Sequence, residues 1–237
     1  MRWNNTRDAF LGVARRSQRM LDRGRFGHIY DRYRTATMVS RKTYIDNLEV
    51  ASRLLKSCVP ITAAIVECGT WRGGMSAGLI EIFGHQRTYH FFDSFEGLPA
   101  AQQIDGASAI NWQQDVASPR YFNNCTASEH EFRQTIGKTG VLVSQIHIHR
   151  GLFDTTVPVT DTGPIALLRL DGDWYASTMC CLEALFPKVA PGGIVIIDDY
   201  GTWDGCTRAV HDYLSAQSRP EAIQRFGASA VAFINVH

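Results

Sequence analysis

The chain has 237 residues, 45% of them hydrophobic, and a formal net charge of +1. That length suits one domain with a real core, and so small a charge provides no overall field for nucleic acid or a membrane surface, so we expect neither partner. No run approaches the ~18 apolar residues that span a bilayer, no secretory signal is seen, and the six cysteines lack zinc-ligand spacing. We therefore expect a cytoplasmic protein with reduced thiols.

The first 60 residues are predicted to be helical. Residues 1 to 34 contain nine arginines and no lysine against three aspartates, so this segment is basic in a nearly neutral chain. Such a segment can contact an anionic substrate or nucleic acid, but it is more often the solvated face of a helix. Further on, apolar residues at 45, 48, 51, 54 and 55 have helical spacing, and Pro60 ends the helix.

From residue 61 onward, short apolar runs alternate with helical patterns. Strands that are apolar on both faces and alternate with helices are typical of a parallel sheet covered on both sides. The fold class is therefore predicted to be α/β, with a doubly wound, mostly parallel sheet and a C-terminal antiparallel hairpin. The predicted strands are residues 63–68, 88–93, 145–151, 165–171 and 192–198, the helices are 75–83, 177–189 and 208–217, and the hairpin turns at 227–229.

Two units follow from this pattern. Residues 1–60 form a helical N-terminal extension, which is either a lid or an oligomer contact, and residues 61–237 form one domain. Within that domain, residues 95–125 are irregular, rich in glycine, alanine, glutamine and asparagine, with Trp112 in the middle. A loop this long inside a compact domain is usually functional or mobile.

A glycine-rich loop follows the first predicted strand, in the stretch "VECGTWRGGMS", residues 66–76. Glycine allows close backbone approach to a ligand, and the N-terminus of the next helix favours negative charge. The spacing of this loop does not fit the G-x-G-x-x-G of dinucleotide sites, and it is not a P-loop because residues 66–76 contain no G-K-[ST]. It is closer to the E-x-G-x-x-x-G loop of S-adenosylmethionine enzymes. The alternative is a plain turn between strand and helix.

Asp93 ends the second predicted strand, in "FFDSFEGLP" (91–99), about twenty residues after the glycine loop. An acid at this position can accept hydrogen bonds from both hydroxyls of a ribose. The alternative reading is a helix cap, because Ser94 and Glu96 follow. We expect Asp93 to bind the ribose of a nucleoside ligand.

Four acids stand at the ends of two further apolar runs. Asp171 ends the predicted strand at 165–171 and Asp173 lies two residues further on, while Asp198 ends the predicted strand at 192–198 and Asp199 follows it. Neighbouring parallel strands bring such ends together, and clustered carboxylates then take up protons or bind a cation. Oxygen-only ligands favour a hard ion such as Mg²⁺. Helix capping by these acids is the structural alternative, but it does not explain why both strands end alike.

Four motifs together resemble the macrocin O-methyltransferase family: "VECGTWRGG", "DSFEGLP", "LRLDGDWYAST" and "PGGIVIIDDYG", in the family's order and spacing. The resemblance covers residues 38–237. It implies a class I methyltransferase (Rossmann-like) fold with a seven-stranded sheet, S-adenosylmethionine as methyl donor, Mg²⁺ as metal, and a sugar hydroxyl of a natural product as acceptor.

The resemblance also assigns roles to individual positions. It implies that Asp173 is the general base, and that the metal ligands are Asp171, Asp198 and Asp199. It further implies that the residues contacting the donor are Glu67, Gly69, Thr70, Gly73, Ser76, Asp93, Ser94 and Asp171.

The acceptor and the class of activity leave alternatives. The segment 100–129 does not match the family position by position, so a catechol-like phenol is the second candidate for the small hydroxylated acceptor. The aromatic residues near the predicted site could stack on a sugar or a phenol: Trp112, Trp174, Tyr175, Tyr200 and Trp203. A non-catalytic S-adenosylmethionine-binding module and a nicotinamide-dependent oxidoreductase are the competing functions. Relatives of this kind are commonly homo-oligomers, and we expect the same here.

Overall fold

A seven-stranded sheet forms the centre of the computed structural model, which describes the backbone of residues 4–237 and side chains from residue 18 onward. The strands are β1 (Ala64–Cys68), β2 (Tyr89–Asp93), β3 (Ile146–Arg150), β4 (Ile165–Leu170), β5 (Val189–Ile197), β6 (Gln224–Arg225) and β7 (Val231–Ile234). Their order in the sheet is β3-β2-β1-β4-β5-β7-β6. Strands β1 to β5 are parallel, whereas β7 is antiparallel to both β5 and β6. The predicted sheet and its C-terminal hairpin are confirmed.

Helices cover both faces of this sheet, as expected for strands that are apolar on both sides. Every residue of β1 and of β4 is buried. One face packs against the N-terminal helices, α3 and α5, and the other packs against α7 and α8. The helices are α1 (Asn4–Tyr33), α2 (Arg41–Ser52), α3 (Gly74–Phe83), α4 (Ala107–Gln114), α5 (Glu129–Gly137), α6 (Phe153–Thr156), α7 (Tyr175–Leu185) and α8 (Asp204–Ala216).

The helix predicted for 177–189 is shorter than expected at its C-terminal end. It ends at Leu185, and a single 3₁₀ turn, Phe186–Lys188, leads directly into β5. Pro187 lies in that turn, where it has no N–H to continue the helical hydrogen bonds. Apolar spacing alone did not show this end, because Phe186 and Val189 continue the helical spacing while the chain changes from helix to strand.

The N-terminal helices share a core with the sheet. Tyr44 and Leu48 of α2 are fully buried in the same cluster as Ile65 of β1 and Phe91 of β2. The Tyr44 hydroxyl also donates a hydrogen bond to the Gly74 carbonyl at 2.8 Å, which ties α2 to the start of α3. Helix α2 of the extension predicted for residues 1–60 is thus packed onto the domain, and the division at residue 60 remains a proposal.

Several arginines of the basic segment pair with acids on neighbouring helices. Arg23 reaches Asp46 at 2.8 Å and Glu49 at 2.6 Å, both on α2, and Arg32 reaches Glu81 of α3 at 2.5 Å. In this part the basic face of α1 therefore lies against acidic residues of its own chain. The side chains of Arg2, Arg7, Arg15 and Arg16 lie outside the described residues. Among the helices that the structure does describe, none is long and apolar enough to cross a membrane.

Candidate active site

A cavity of about 390 Å³ opens at the carboxyl ends of β1, β2, β4 and β5. This is where a doubly wound sheet binds its ligands, and the volume is in the range of small-molecule sites. Its walls include the glycine loop after β1, the residues directly after β3, the acids after β4 and β5, and the irregular segment 95–125. Residues just before α2 close it from a further side, namely Ala36, Thr37, Met38, Val39 and Ser40.

Asp93 holds the glycine loop in place. Its Oδ2 accepts hydrogen bonds from the backbone N–H of Thr70 at 2.7 Å and of Trp71 at 2.8 Å. Its Oδ1 accepts from the N–H of Phe95 at 2.7 Å. No helix follows directly, so the predicted alternative of a helix cap is replaced by a turn. Asp93 lines the cavity as a ribose-binding residue would, although both of its oxygens already have partners within the chain.

The other residues expected at the donor lie at different depths. Gly69, Thr70 and Ser94 line the cavity, whereas Gly73 and Ser76 are not among its lining residues. Ser76 is fully buried and donates its hydroxyl hydrogen bond to Glu67. Gly73 is the left-handed residue before α3, at φ +82°. In this structure, Gly73 and Ser76 therefore contribute to the packing of the loop on the side away from the cavity.

A buried arginine lies between the acids. Arg169 of β4 has no exposed side-chain surface, and its Nη1 lies 2.9 Å from both Glu67 and Asp171. Its Nη2 lies 3.2 Å from Asp198, and its Nε donates to the Asn47 amide oxygen at 3.3 Å. Burial opposes the charge of this guanidinium, but the neighbouring carboxylates outweigh that effect and raise its pKa.

Glu67 belongs to this network and also lines the floor of the cavity. Its side chain is fully buried, and burial raises its pKa to about 7 although Arg169 and Ser76 act in the opposite direction. Its ion pair with Arg169 links β1 to β4 beneath the glycine loop. The predicted contact of Glu67 with the donor is therefore accompanied by a structural role, the link between β1 and β4.

Three carboxylates converge above Arg169. Single oxygens of Asp171, Asp173 and Asp199 all lie within 4.8 Å of one another. Burial, followed by the charge of Asp171, raises the pKa of Asp173 to about 7. Burial and the neighbouring carboxylates also raise the pKa of Asp199 well above its ordinary value. Carboxylates that hold protons because like charges surround them can exchange those protons for a cation.

The converging group differs in one member from the predicted metal ligands. Asp198, rather than Asp173, was expected beside Asp171 and Asp199. In the structure, Oδ1 of Asp198 accepts from the Asn47 amide at 3.0 Å and faces Arg169. Burial raises the pKa of Asp198 as well, with Arg169 acting against it. The metal-ligating atoms that these aspartates offer are all carboxylate oxygens, which are the ligands that a hard divalent ion prefers.

Asp173 is held in an unusual backbone conformation beside an aromatic wall. Its φ is +58°, a left-handed value that is uncommon for a residue with a side chain. Its Oδ1 accepts from the Trp203 indole N–H at 2.7 Å. Trp203 packs edge to face against Trp112 and Trp174, so three indoles stand together beside this carboxylate.

The predicted aromatic residues fall into two groups. Trp112 and Trp203 line the cavity, and Trp174 is buried behind them with its N–H donated to the Pro99 carbonyl. Tyr175 and Tyr200 instead make hydrogen bonds outside the cavity, to Asp212 and His211. The two tyrosines are therefore not cavity residues in this structure.

The irregular segment reaches the cavity through a left-handed turn. Four successive residues, Phe122 to Cys125, have φ between +50° and +58°. Asn124 anchors this turn, because its side-chain amide donates to the Leu98 carbonyl at 2.8 Å and its Oδ1 accepts from Gln113 at 3.0 Å. Phe122 and Cys125 line the cavity as a result. A run of left-handed residues costs energy, so these anchoring bonds are needed.

Some residues of the site were missed in the sequence. Arg169 was visible only as the single charged residue of a buried strand, and a buried arginine calls for several acidic partners. Asn47 gave no signal, since it is one polar residue on an amphipathic helix. His147 and His149 lie away from the cavity on β3, stacked on or bonded to His90 of β2, and His130 is exposed on α5.

Solved structures identify the class of this fold. The structure of the O-methyltransferase NovP matches 85% of this chain and 83% of its own, with a TM-score of 0.71 and 28% sequence identity. The crystal structure of the calicheamicin methyltransferase CalS11 matches 79% of this chain and 78% of its own, with a TM-score of 0.62 and 20% identity. The fold is that of a class I methyltransferase.

Comparison of sequences gives the family. The model of the macrocin O-methyltransferase (TylF) family matches residues 10–235. A Streptomyces olivaceus enzyme named 8-demethyl-8-(2,3-dimethoxy-alpha-L-rhamnosyl)-tetracenomycin-C 4'-O-methyltransferase is 34% identical over 82% of this chain and 74% of its own. The mycinamicin III 3''-O-methyltransferase of Micromonospora griseorubida is 29% identical over 75% of this chain and 69% of its own. The chain belongs to the macrocin O-methyltransferase family and is an S-adenosylmethionine-dependent O-methyltransferase.

Proposed function

We propose that the protein transfers a methyl group from S-adenosylmethionine to a hydroxyl of a sugar or a glycosylated natural product, with Mg²⁺ bound at the acceptor end of the cavity. The names of the relatives support this acceptor class. The observation that carries the proposal is one cavity lined by the glycine loop, by four acids and by two indoles. A donor, a metal and a flat acceptor can therefore meet in one place.

The donor is proposed to lie along the glycine loop. Gly69, Thr70 and Ser94 line this side, and Asp93 stands at the end of β2 where a ribose is commonly bound. A carboxylate has about four acceptor sites, so Asp93 can hold the loop and accept ribose hydroxyls together. Bound S-adenosylmethionine supplies an activated methyl group on a positively charged sulfur. The proposed contacts of Glu67, Gly73, Ser76 and Asp171 follow the family resemblance.

Mg²⁺ is proposed to be held by Asp171, Asp198 and Asp199. Their side chains provide only carboxylate oxygens, the donors that this ion prefers. Burial raises the pKa values of Asp198 and Asp199, and neighbouring carboxylates act in the same direction, so a cation bound between them would favour their ionised forms. A bound divalent ion favours the ionised form of a hydroxyl.

Asp173 is proposed to be the general base. It lines the cavity, and the Trp203 indole holds one of its carboxylate oxygens by a hydrogen bond. Its left-handed backbone conformation indicates that the surrounding structure holds the residue in this position. The Asp173 carboxylate would accept the proton of the acceptor hydroxyl while the hydroxyl oxygen bonds to the methyl carbon. The bond from that carbon to sulfur would break at the same time, with S-adenosylhomocysteine as the leaving group. A base placed in this way typically contributes 10²–10⁴-fold to the rate.

Sugar acceptors fit the indole wall, because sugar C–H faces stack on aromatic rings as Trp112 and Trp203 would allow. A catechol-like phenol is the second candidate, since it can stack on the same two rings. Methylation assays with glycosylated acceptors and with catechol, under one set of conditions, distinguish the two classes.

The N-terminal extension, residues 1–60, is proposed to be a lid over the domain of residues 61–237. This proposal is supported by residues Ala36 to Ser40, which line the cavity. Oligomer contact through α1, a homo-oligomeric state and a cytoplasmic location are retained as further proposals.

The test of the proposed chemistry is Asp173→Asn. We expect kcat to fall at least ~100-fold, as for loss of a general base, while the Kd for S-adenosylmethionine measured by calorimetry stays within about threefold. Asp115→Asn is the control, because Asp115 is an exposed acid outside the cavity, and it should leave both values unchanged. Full activity in Asp173→Asn would remove this residue from the role.

A further inference from the structure

The four acids of the cavity share one feature: each uses a single oxygen in hydrogen bonds or ion pairs with the described residues. Asp171 uses Oδ2, Asp173 uses Oδ1, Asp198 uses Oδ1 and Asp199 uses Oδ2. The second oxygen of each has no such partner among the described residues, and all four side chains line the cavity. The engaged oxygens of Asp171, Asp173 and Asp199 accept from Arg169 Nη1, from the Trp203 indole N–H and from the backbone N–H of Asp173, respectively. Oδ1 of Asp198 accepts from the Asn47 amide and forms an ion pair with Arg169 Nη2.

Arg169 and Asn47 are fixed donors. Both are fully buried, at 0% exposure, and both are held from behind. Arg169 Nη1 is also bonded to Glu67, and the Asn47 amide is also bonded to the Thr43 carbonyl at 3.0 Å. Arg169 Nη2 has no hydrogen-bond partner among the described residues, so its interaction with Asp198 is an ion pair at 3.2 Å. Neither donor can withdraw without losing other bonds in a buried place.

This arrangement limits how the acids bind a metal. A carboxylate with one oxygen bound to a rigid donor offers one oxygen to an ion and resists turning to offer two. Mg²⁺ takes six ligands at 2.0–2.1 Å in near-octahedral geometry, whereas Ca²⁺ takes six to eight at 2.3–2.6 Å and readily accepts bidentate carboxylates. Restricting each acid to one oxygen therefore favours the smaller ion.

We propose that Arg169 and Asn47 set the metal selectivity of the site, by restricting Asp171 and Asp198 to one metal-binding oxygen each and so favouring Mg²⁺ over Ca²⁺. They act through the ligands and are positioning residues. The proposal rests on the metal site of the proposed function, but it assigns a task to two residues outside the ligand set.

The test measures metal binding to the full chain rather than activity. Calorimetric titration of Mg²⁺ and of Ca²⁺ gives the ratio of the two Kd values in the wild type, Arg169→Lys and Asn47→Ala. We expect the wild type to bind Mg²⁺ more tightly. Because lysine cannot bridge Glu67, Asp171 and Asp198 at once, and alanine removes the amide from Asp198, we expect each variant to shift the ratio about tenfold or more toward Ca²⁺.

Arg87→Lys is the matched control. Arg87 is also a buried arginine, and its guanidinium donates hydrogen bonds to the carbonyls of Pro60 and Ala63. It lies just before β2, at the opposite end of the strands from the cavity. It should lose stability without changing the ratio of the Kd values, and this separates a structural effect from one on selectivity.

Each result has a clear meaning. Binding of neither ion by the wild type would refute the proposed metal and this inference with it. Tighter binding of Ca²⁺ by the wild type would refute the inference alone, and so would an unchanged ratio in either folded variant. If Arg169→Lys does not fold, Asn47→Ala and the wild-type ratio still decide.

Discussion

Arg169 provides much of the positive charge that the four acids require. A buried ion pair loses the hydration of both partners, and it is tolerated only where several well-placed groups surround it. Here Glu67, Asp171 and Asp198 all contact one guanidinium. Its single charge nevertheless leaves the acids in excess, and this supports the cation site proposed above it.

Of the three glycines in the loop, Gly69 leaves the least room for a side chain. Its φ is +86°, and an added Cβ would lie 1.8 Å from the carbonyl oxygen of Asp171. The backbone of the loop and the backbone of the acidic end of β4 are therefore in direct contact. Any side chain at this position would force these two walls of the cavity apart.

Gly69→Ala is predicted to destabilise the protein and to weaken binding of S-adenosylmethionine. Gly84→Ala is the control, because Gly84 has a similar φ of +77° but no atom within 4 Å of an added Cβ. The control should cost about 1 kcal/mol from backbone strain, and Gly69→Ala at least about 2 kcal/mol more because backbone must move. Urea unfolding measures the difference, and equal losses in both variants would contradict the account.

At the scale of elements, the sheet was predictable and the ends of helices were less so. The runs before Cys68 and Leu170 are apolar throughout or nearly so, because both faces of these strands are covered, and they identified β1 and β4 directly. The end of α7 was misplaced, because hydrophobic spacing continues through the turn containing Pro187 into β5.

The candidate site was predictable where it follows strand ends and not where it depends on distant contacts. Parallel strands bring Asp171 and Asp198 to one edge of the sheet, so their proximity could be foreseen. The bond between Asn47 and Asp198 joins residues 151 positions apart, and no local pattern indicates it. The left-handed turn at Phe122 to Cys125 was equally hidden, since no glycine marks it.

At the scale of the whole molecule, the chain builds two hydrophobic layers on the sheet and adds the N-terminal helices to one of them. That packing explains how α2 brings Asn47 to the acids and how the preceding residues reach the cavity.

Away from the cavity, β2 and β3 bring three histidines together. His90 is buried there, with its Nδ1 3.0 Å from His149 Nε2.

This histidine group is predicted to weaken the fold in acid. Burial, followed by the charges of His147 and His149, lowers the pKa of His90 to about 4, with Asp161 acting against them and Lys188 with them. Unfolded histidine has a pKa near 6.5, so below that pH the unfolded chain binds more protons and stability falls until about pH 4.

His90→Gln removes this proton-linked loss. Lowering the pH from 7 to 4 should reduce the free energy of unfolding of both proteins. The reduction should be larger in the wild type, by up to ~3 kcal/mol. Urea unfolding of both proteins at both pH values measures this difference. The contributions of the other titrating side chains cancel, because both proteins contain them. The same pH dependence in both proteins would show that His90 titrates normally.

The central claim is that one cavity holds S-adenosylmethionine on the glycine loop. Calorimetric titration of S-adenosylmethionine into the protein, with NAD as the control ligand, tests it most directly. We predict micromolar binding of S-adenosylmethionine and no binding of NAD, because the loop after β1 lacks dinucleotide spacing. Binding of neither ligand, with Mg²⁺ and a glycosylated acceptor also present, would contradict the account and leave the loop and Asp93 with a structural role only.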